Sequence, residues 1–292
     1  MTAFKATAQR RELGTELRRV RENTNLTLHE MARKLGWDPS KLSRIETGKL
    51  PCSKVEAATI LAYCQVDGAE LDKVLATCGS DLDGAWIRDT GIPDRQSGLR
   101  VHESLAVAMS SFEPCVIPGL LQIEDYTRAL LTGTGLLSAA GVEDRVRIRM
   151  GRQSTLRRQS PPNTVFYVSE NALRMPVGSP QTMHEQMLHL LFASSQPHCV
   201  LRVVPAAKSA IAALDGGFRL MEFTDGHPVV NVDTLNRTLF LERSVDIAIY
   251  RLVLGRLGQD ALNVADSRVL LSDLASDYDR EEAQVHAPDP FA

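Results

Sequence analysis

Two short helices separated by a tight turn are predicted early in the chain, and this pattern constrains the fold more than any other feature. Thr27 and Glu30 have the spacing of a capping box, in which each side chain bonds the backbone amide of the other, so a helix begins there. Gly36 can adopt the left-handed conformation that ends a helix. Asp38 and Pro39 then supply the capping residue and the first-turn proline of a second helix.

The second of these helices is predicted to present a polar surface that suits a DNA groove. It runs to Glu46 and is ended by Gly48, with Leu42 and Ile45 facing inward. The positions left outside carry short or basic side chains, namely Ser40, Lys41, Ser43 and Arg44.

Three further helices are expected to complete an all-α, five-helix domain over residues 1–78. The first lies between Glu12 and Glu22, where apolar residues recur at three- and four-residue spacing. A fourth and a fifth helix follow Pro51. The inward residues are Leu13, Leu17 and Val20 in the first helix, Val55, Ala58, Leu61 and Ala62 in the fourth, and Leu71, Val74 and Leu75 in the fifth.

The net charge of −3 hides an uneven distribution along the 292 residues. Up to Lys54 the chain has 12 Lys and Arg against 6 Asp and Glu, which leaves 21 against 30 for the remainder. A local excess of positive charge concentrates a protein near phosphate, whatever the charge of the whole chain. This asymmetry therefore points to nucleic acid at the N-terminal end only.

The pattern from Leu26 to Lys49 resembles the λ-repressor and Cro-like helix-turn-helix family, also called the XRE family. The resemblance implies that the second helix of the pair enters the major groove of double-stranded DNA. It also implies that Glu46 pairs with Arg21 of the first helix as part of the scaffold. The residues that carry it are Thr27, Leu28, Glu30, Ala32, Leu35 and Gly36, followed by Leu42, Ser43, Arg44, Ile45, Glu46, Gly48 and Lys49.

Within that geometry, we expect Arg44 to make a bidentate contact with guanine, worth roughly 1–3 kcal/mol of discrimination. Ser40 and Ser43 are secondary readers. Phosphate contacts, which fix register without reading sequence, are expected from Lys41, Lys49 and the start of the preceding helix. The competing interpretation is a solvated face of a helical bundle. The expected DNA-contacting residues are Thr27, Leu28, Pro39, Ser40, Lys41, Ser43, Arg44 and Lys49.

Length and composition predict a two-domain globular protein of the cytoplasm, associated with the nucleoid when bound to DNA. Apolar residues make up 43% and charged residues 24%, which is typical of soluble globular chains. No stretch reaches the roughly 20 apolar residues of a membrane span, and the N-terminus lacks the apolar run of a signal peptide. The five cysteines are irregularly spaced, so we expect neither disulfides nor a zinc site.

The rest of the chain is interpreted as a linker over residues 79–98, an α+β sensory or interaction domain over residues 99–280, and a flexible tail over residues 281–292. The linker is rich in Gly, Asp and Ser, with Trp86 and Ile87 as apolar anchors.

Four strands are expected in the α+β domain, and they would form a small, mostly antiparallel sheet covered by helices. Asp225-Gly226 is a hairpin signal between the last two strands. The predicted strands are Thr164–Val168, Val200–Val204, Phe218–Phe223 and Val229–Val232. The predicted helices are Gly98–Ser111, Leu120–Leu131, Thr182–Ala193, Glu242–Leu257 and Ser267–Ala275.

Residues 86–278 resemble the uncharacterised domain that follows the helix-turn-helix in WhiJ-like actinomycete regulators. Such regulators are often encoded beside a small acidic or amphipathic protein, so the resemblance implies that this domain binds one. Ile123 departs from the threonine usual at its position. The resemblance is carried by Pro118 to Gln122, Asp125, Tyr126, Arg149, Arg152, Gln153, Glu170 to Arg174, Val203 to Pro205 and Gly216 to Phe218.

No motif predicts catalysis, a cofactor or a metal site. His184 and His189 are five residues apart, which places them about 140° apart around a helix, whereas the zinc-protease motif needs a spacing of four. His198 and His227 lack the serine and acid context of a catalytic triad. No phosphate-cradling or dinucleotide-binding glycine pattern is present.

Six arginines between residues 145 and 158 form a basic stretch, in which Arg145, Arg149 and Arg152 share a helix face. We expect a solvated face paired with local acids. A second contact to the DNA backbone and a docking surface for an acidic partner are the alternatives.

The sequence therefore predicts a sequence-specific DNA-binding transcriptional regulator rather than an enzyme. We expect a homodimer whose heads bind half-sites about one DNA turn, roughly 34 Å, apart. A small partner protein or a ligand bound to the C-terminal domain would control it. The alternative is a DNA-binding, antitoxin-like component of a two-gene module that represses its own operon. An enzyme fused to a DNA-binding head is favoured only by the size of the C-terminal domain.

Overall fold

The computed structural model describes most of the chain in six segments. These are residues 6–78, 85–89, 97–208, 216–224, 226–234 and 237–285. We refer to residues 6–78 as the head and to the described residues from 85 onward as the body. Parts of the expected linker and tail, and Asp225 of the expected hairpin turn, lie outside the described residues.

The head consists of five helices around one apolar core, as predicted. Leu17, Met31, Leu42, Ile45 and Leu61 are among its fully buried side chains. The helices are α1 (Ala8–Asn23), α2 (Leu28–Leu35), α3 (Pro39–Glu46), α4 (Lys54–Tyr63) and α5 (Gly68–Ala76).

Local capping chemistry explains where α2 and α3 begin and end. The Glu30 amide donates to Thr27 Oγ1 at 3.3 Å and the Thr27 amide donates to Glu30 Oε2 at 2.8 Å, which completes the predicted capping box. Gly36 ends α2 with a φ of 66°. Asp38 then accepts the Ser40 amide at 2.7 Å, and Pro39 occupies the first turn of α3.

The body is an α+β domain in which strands and helices are interspersed along the chain. They are β1 (Ala85–Asp89), α6 (Ser97–Leu105), β2 (Ala108–Glu113), a 3₁₀ turn (Gly119–Leu121), α7 (Glu124–Gly133), α8 (Ala139–Arg152), α9 (Ser154–Arg157), β3 (Asn163–Ser169), α10 (Glu170–Arg174), α11 (Pro180–Ala193), β4 (Cys199–Val204), β5 (Phe218–Glu222), β6 (Val229–Asp233), β7 (Arg237–Leu241), α12 (Ser244–Asp260) and α13 (Val264–Val285).

The described strands form one seven-stranded mixed sheet in the order β1-β7-β6-β5-β2-β3-β4. Strands β2, β3 and β4 pair in parallel, and every other pairing is antiparallel. The predicted pairing of β5 with β6 is confirmed, with Arg219 opposite Asn231. The expectation of a small, mostly antiparallel sheet was wrong, because three strands were missed.

The missed strands, β1, β2 and β7, lack a sequence signal that separates them from other structures. Leu105, Ala106 and Met109 continue the helical spacing of α6, so β2 was predicted as the end of a helix. The chain leaves the helix at Leu105 because β3 and β5 bond β2 on both sides. Within the expected linker, β1 is held at the sheet edge by Trp86, which stacks on Phe240 at 5.4 Å.

Helices cover both faces of the sheet. On one face, α11 and α13 pack over Phe166 and Met221. On the other face, α12 packs over Phe112 and Phe218, and Tyr250 lies 4.7 Å from the Phe218 ring. Both faces are therefore buried, which accounts for the near-continuous apolar runs in the central strands.

Arg11 of α1 joins the head to the body. Its guanidinium lies 3.9 Å over the Phe223 ring and donates to Glu242 Oε1 at 3.2 Å. It also donates to the His227 carbonyl at 3.4 Å, while the Ala8 amide donates to the same Glu242 oxygen at 2.8 Å. Burial lowers the pKa of Arg11 to about 10, although Glu242 opposes the shift. The Arg11 guanidinium therefore stays charged at neutral pH.

Candidate nucleic-acid interface

A buried ion pair fixes α3 against α1. Arg21 donates from Nε to Glu46 Oε1 at 2.6 Å and from Nη2 to Glu46 Oε2 at 2.8 Å, and both residues are buried. Arg21 Nη1 also donates to the Leu26 carbonyl at 2.7 Å. The hydrogen bonds with Glu46 raise the pKa of Arg21 above its ordinary value. The end of α3 and the turn before α2 are therefore held by one side chain.

Gly14 lets α1 and α3 approach more closely than any other residue would allow. A Cβ at this position would lie 2.7 Å from the Glu46 carbonyl oxygen and closer still to that of Ile45. Both are backbone atoms, which cannot rotate away as a side chain can. α3 therefore rests directly on the backbone of α1.

The outward face of α3 is open and carries a basic side chain near its centre. Ser40, Arg44 and Thr47 are exposed, and Ser43 is half-buried. Within the described chain, the side chain of Arg44 makes no hydrogen bond or ion pair. Thr47 bonds back to the Ser43 carbonyl at 2.8 Å, which holds its hydroxyl along the helix. This face has the short and basic groups that a groove-reading helix needs.

Lys41, one of the expected phosphate contacts, is engaged within the head. Its Nζ lies 2.7 Å from Glu56 Oε1 of α4 and 4.0 Å from the centroid of the Trp37 ring. The hydrogen bond from Lys41 also lowers the pKa of Glu56, so this carboxylate is charged at neutral pH. A phosphate would have to compete with Glu56 for this ammonium group.

At the start of α2, the backbone is more available than the side chain. The hydroxyl of Thr27 donates to Glu30 Oε2 at 2.7 Å and accepts the Glu30 amide, so the capping box uses it fully. Hydrogen bonds from Thr27 lower the pKa of Glu30. The first-turn amides of Leu28 and His29 have no acceptor within the helix. They are the groups at this end that a phosphate can bind.

Lys49 and Pro39 occupy different surroundings. Lys49 is half-buried and borders a cleft of about 490 Å³ between the head and the body, together with Arg18 and Phe223. Pro39 is half-buried at the first turn of α3. The structure thus places Lys49 beside α3 but at the side of the head that faces the body.

Two basic residues of α2 belong to the same exposed surface and were not identified from the sequence. Arg33 and Lys34 are exposed, and the described residues offer neither side chain a hydrogen-bond or ion-pair partner. In helix-turn-helix proteins the first helix of the pair crosses the DNA backbone. The signal available in the sequence was their outward position on a helix with Met31 and Ala32 inside.

The arginines of α8 do not form the solvated face that was expected. Arg145 and Arg152 are buried and Arg149 is half-buried, whereas Arg147 is 76% exposed. The shared face turns inward because Glu103 of α6, which is fully buried, accepts two hydrogen bonds from Arg152. A buried charge needs such a partner.

The histidines of α11 have separate surroundings. His184 donates from Nδ1 to the Ala275 carbonyl at 2.8 Å, and burial lowers the pKa of His189. Among the described residues, no group of three His, Cys, Asp or Glu side chains is placed to hold a metal ion. All five cysteines are free thiols.

None of the helices in the described segments combines the length and the apolarity that a bilayer span requires.

These observations define a class of protein with a helix-turn-helix head and an α+β body. A family model described as a helix-turn-helix domain matches residues 12–74, within the head. A second, described as a domain of unknown function (DUF5753), matches residues 96–273. The chain belongs to this DUF5753 family.

The remaining comparisons give one distant structural similarity. No curated protein matches the chain. The solved structure of TrmBL2, described as an archaeal chromatin protein with a novel mode of DNA binding, is similar at 11% identity and a TM-score of 0.32. The similarity covers 72% of this chain and 64% of that one, so this chain spans slightly less than two thirds of that protein.

Proposed function

We propose that this protein is a sequence-specific DNA-binding transcriptional regulator of the XRE type, with α3 as the recognition helix. The observation that carries the proposal is the open face of α3, where the exposed Arg44 stands on a helix fixed by the Arg21–Glu46 ion pair. Rigid support matters because a bidentate contact with a base edge tolerates little displacement.

Arg44 supplies the main base contact in this proposal, and guanine is its preferred partner because it presents O6 and N7 side by side. Ser40 and Ser43 supplement it. The amides of Leu28 and His29 bind a phosphate and fix the position of the head.

Additional phosphate contacts are assigned to Arg33, Lys34 and Lys49. Each phosphate that a cation neutralises releases counterions, so these residues contribute affinity that falls as salt rises. Lys41 contributes a phosphate contact only when its ion pair with Glu56 is broken.

In vitro selection from a random duplex library, with the full chain at physiological salt, tests the proposal. Arg44→Ala should relax the preference at one base pair by roughly 1–3 kcal/mol. Lys49→Ala should weaken all sequences evenly and reduce the salt dependence by about one charge. Arg280→Ala, which removes an exposed arginine of α13, is the charge-matched control.

Equal effects of Arg44→Ala and Lys49→Ala would refute the assignment of α3. No enriched sequence with the full chain would leave the helical head as a protein-binding bundle.

We further propose that the protein acts as a homodimer assembled by its body. On α12, Val245, Ile249 and Leu252 are exposed at positions i, i+4 and i+7, which is an apolar stripe along one helix face. Such a stripe can pair with its own copy across a twofold axis. Two heads held in this way would bind half-sites roughly 34 Å apart.

Control of DNA binding is assigned to the body, through a ligand or a small protein encoded nearby. In the alternative two-gene module, the protein would repress its own operon together with that small protein. Co-purification of the product of an adjacent short reading frame with the tagged full chain would favour the two-gene module. Its absence would favour a ligand.

A further inference from the structure

A cavity of about 210 Å³ lies in the body between α8, the sheet and the loop that follows β2. Its polar wall is unusual because four guanidinium groups meet there. Its lining includes Arg145, Arg149 and Arg152 of α8, Arg219 of β5, Glu113 of β2 and Asp233 of β6. Arg219 lies more than 60 residues beyond the three arginines of α8, so the tertiary fold is needed to bring it to them.

The charges around the cavity leave an excess of positive charge. Arg152 is neutralised by Glu103, to which it donates at 2.8 and 2.6 Å. Arg219 lies 3.4 Å from Glu113 and 3.8 Å from Glu103. Among the described residues, four guanidinium groups thus face three carboxylates, Asp233 being the third.

The charge on Glu113 is itself weakened by its surroundings. Burial raises its pKa to about 7, Arg219 opposes the shift, and Asp233 adds to it. Arg149 and Arg152 also face this carboxyl and favour its charged form. The excess of positive charge in the cavity is therefore larger below neutral pH than above it.

Arg219 has hydrogen-bonding capacity that the described residues do not use. Its side chain is 8% exposed, and its Nε has no acceptor. Its Nη1 donates to Asn231 Oδ1 at 3.2 Å, which is a long contact for a charged donor. A buried donor without an acceptor is energetically unfavourable.

Arg149 is held at the cavity wall by a chain of hydrogen bonds. It donates from Nη1 to Gln122 Oε1 at 2.7 Å, and Thr127 donates to the same oxygen at 3.0 Å. Gln153 donates to the Gln122 carbonyl at 2.6 Å. Gly119 lies beside this cluster, and a Cβ there would be 3.9 Å from Arg149 Nε. The guanidinium is therefore oriented before any ligand arrives.

We propose that this cavity is a binding site for a small molecule that carries a carboxylate or phosphate group. Guanidinium groups recognise both oxyanions through paired hydrogen bonds, and an oriented cluster binds them at low entropic cost. The apolar part of the lining, which includes Leu99, Val116 and Leu131, accommodates a short carbon skeleton.

The site is proposed from the body alone and does not depend on the DNA-binding proposal. The test therefore uses the full chain without DNA. Inorganic phosphate and succinate are titrated at constant ionic strength against chloride, and the melting temperature and the heat of binding are measured. A saturable rise in melting temperature is expected for at least one of them, because a ligand of the folded state stabilises it.

Two variants of α8 separate the site from general charge effects. Arg149→Gln should weaken binding by about tenfold to a hundredfold, the range expected for losing a hydrogen bond to a charged group. Arg147→Gln removes the same charge from the exposed face of the same helix and should leave binding unchanged.

Asp233→Asn gives a prediction of opposite sign, which remains informative where Arg149→Gln fails to fold. Removing this carboxylate from the cavity wall should tighten anion binding severalfold. Non-saturable effects of both anions, or equal effects of Arg149→Gln and Arg147→Gln, would overturn the proposal. Neither result would bear on whether α3 binds DNA.

Discussion

Arg21 and Arg152 are both buried, and each has its charge balanced by one glutamate. Each donates two hydrogen bonds, at 2.6 and 2.8 Å, to both oxygens of one glutamate. Removing one member of such a pair costs about 3–5 kcal/mol, since the other charge stays buried. Arg219 differs, because its contacts are 3.2 Å or longer. Each of the first two guanidinium groups is held tightly by its glutamate, whereas Arg219 is held less tightly.

Glu113→Gln should stabilise the protein at pH 8 and have little effect at pH 5. The pKa of Glu113 in the folded state, about 7, lies above its ordinary value of 4.5. Its contribution to stability is therefore complete below the ordinary pKa and is lost as pH rises through 7. A glutamine has no charge to bury, so the difference in melting temperature between variant and parent should grow from pH 5 to pH 8.

Thermal unfolding of both proteins at matched ionic strength measures this difference. Glu222→Gln, which changes an exposed glutamate paired with Arg251, is the control and should show no such trend. A constant difference across the pH range would contradict the raised pKa of Glu113.

At the scale of elements, the contact between α1 and α3 depends on a missing side chain. Within a helix, alanine is more favourable than glycine by about 1 kcal/mol when nothing else changes. At Gly14 something else does change, because the added methyl group meets the backbone carbonyls of Ile45 and Glu46. The steric term, about 1–3 kcal/mol for an overpacked core, outweighs the helix preference.

Gly14→Ala is accordingly expected to lower the melting temperature and to weaken DNA binding by displacing α3. Gly255→Ala is the matched control, because Gly255 lies within α12 and a Cβ there would meet nothing within 4 Å. That variant should be slightly stabilised. Calorimetry and DNA titration of both variants provide the comparison, and a stabilised Gly14→Ala would show that α1 and α3 are not in backbone contact.

At the scale of the whole molecule, the head is attached to the body by α1, and α1 also supports α3. Arg11 contacts Phe223, just after β5, and Glu242, just after β7. Arg219 lies on β5, and its cavity is bordered by Asp233 of β6. The proposed ligand site and the head therefore lie at opposite ends of the same group of strands, β5 to β7.

Leu252→Glu tests the proposed dimer. Leu252 is 76% exposed, so the substitution should not disturb the fold of one subunit, whereas a buried carboxylate would disrupt a twofold contact between α12 helices. Sedimentation should show a dimer for the parent and a monomer for the variant. In the selection experiment the parent should enrich a palindrome and the variant a half-site. An unchanged mass would exclude this face of α12 as the interface.

The helices of the head were predictable from the sequence, because the signals that begin and end them act over three or four residues. The pairing of Thr27 with Glu30, the left-handed Gly36 and the first-turn Pro39 each specify a helix end without help from distant residues. The family match to residues 12–74 agrees with that interpretation. The strands β3 to β6 were also predictable, since they are apolar runs bounded by turns.

The sheet order, the edge strands and the arginine cavity depend on contacts between residues far apart in the chain. β1 and β2 become strands because distant strands supply their hydrogen bonds, and no local pattern encodes such a partner. The helical spacing of Arg145, Arg149 and Arg152 predicts a shared face. It does not say whether that face meets water or Glu103. Glu103 is buried, and a buried carboxylate must be paired. The shared face therefore turns inward, where Arg152 is the partner of Glu103.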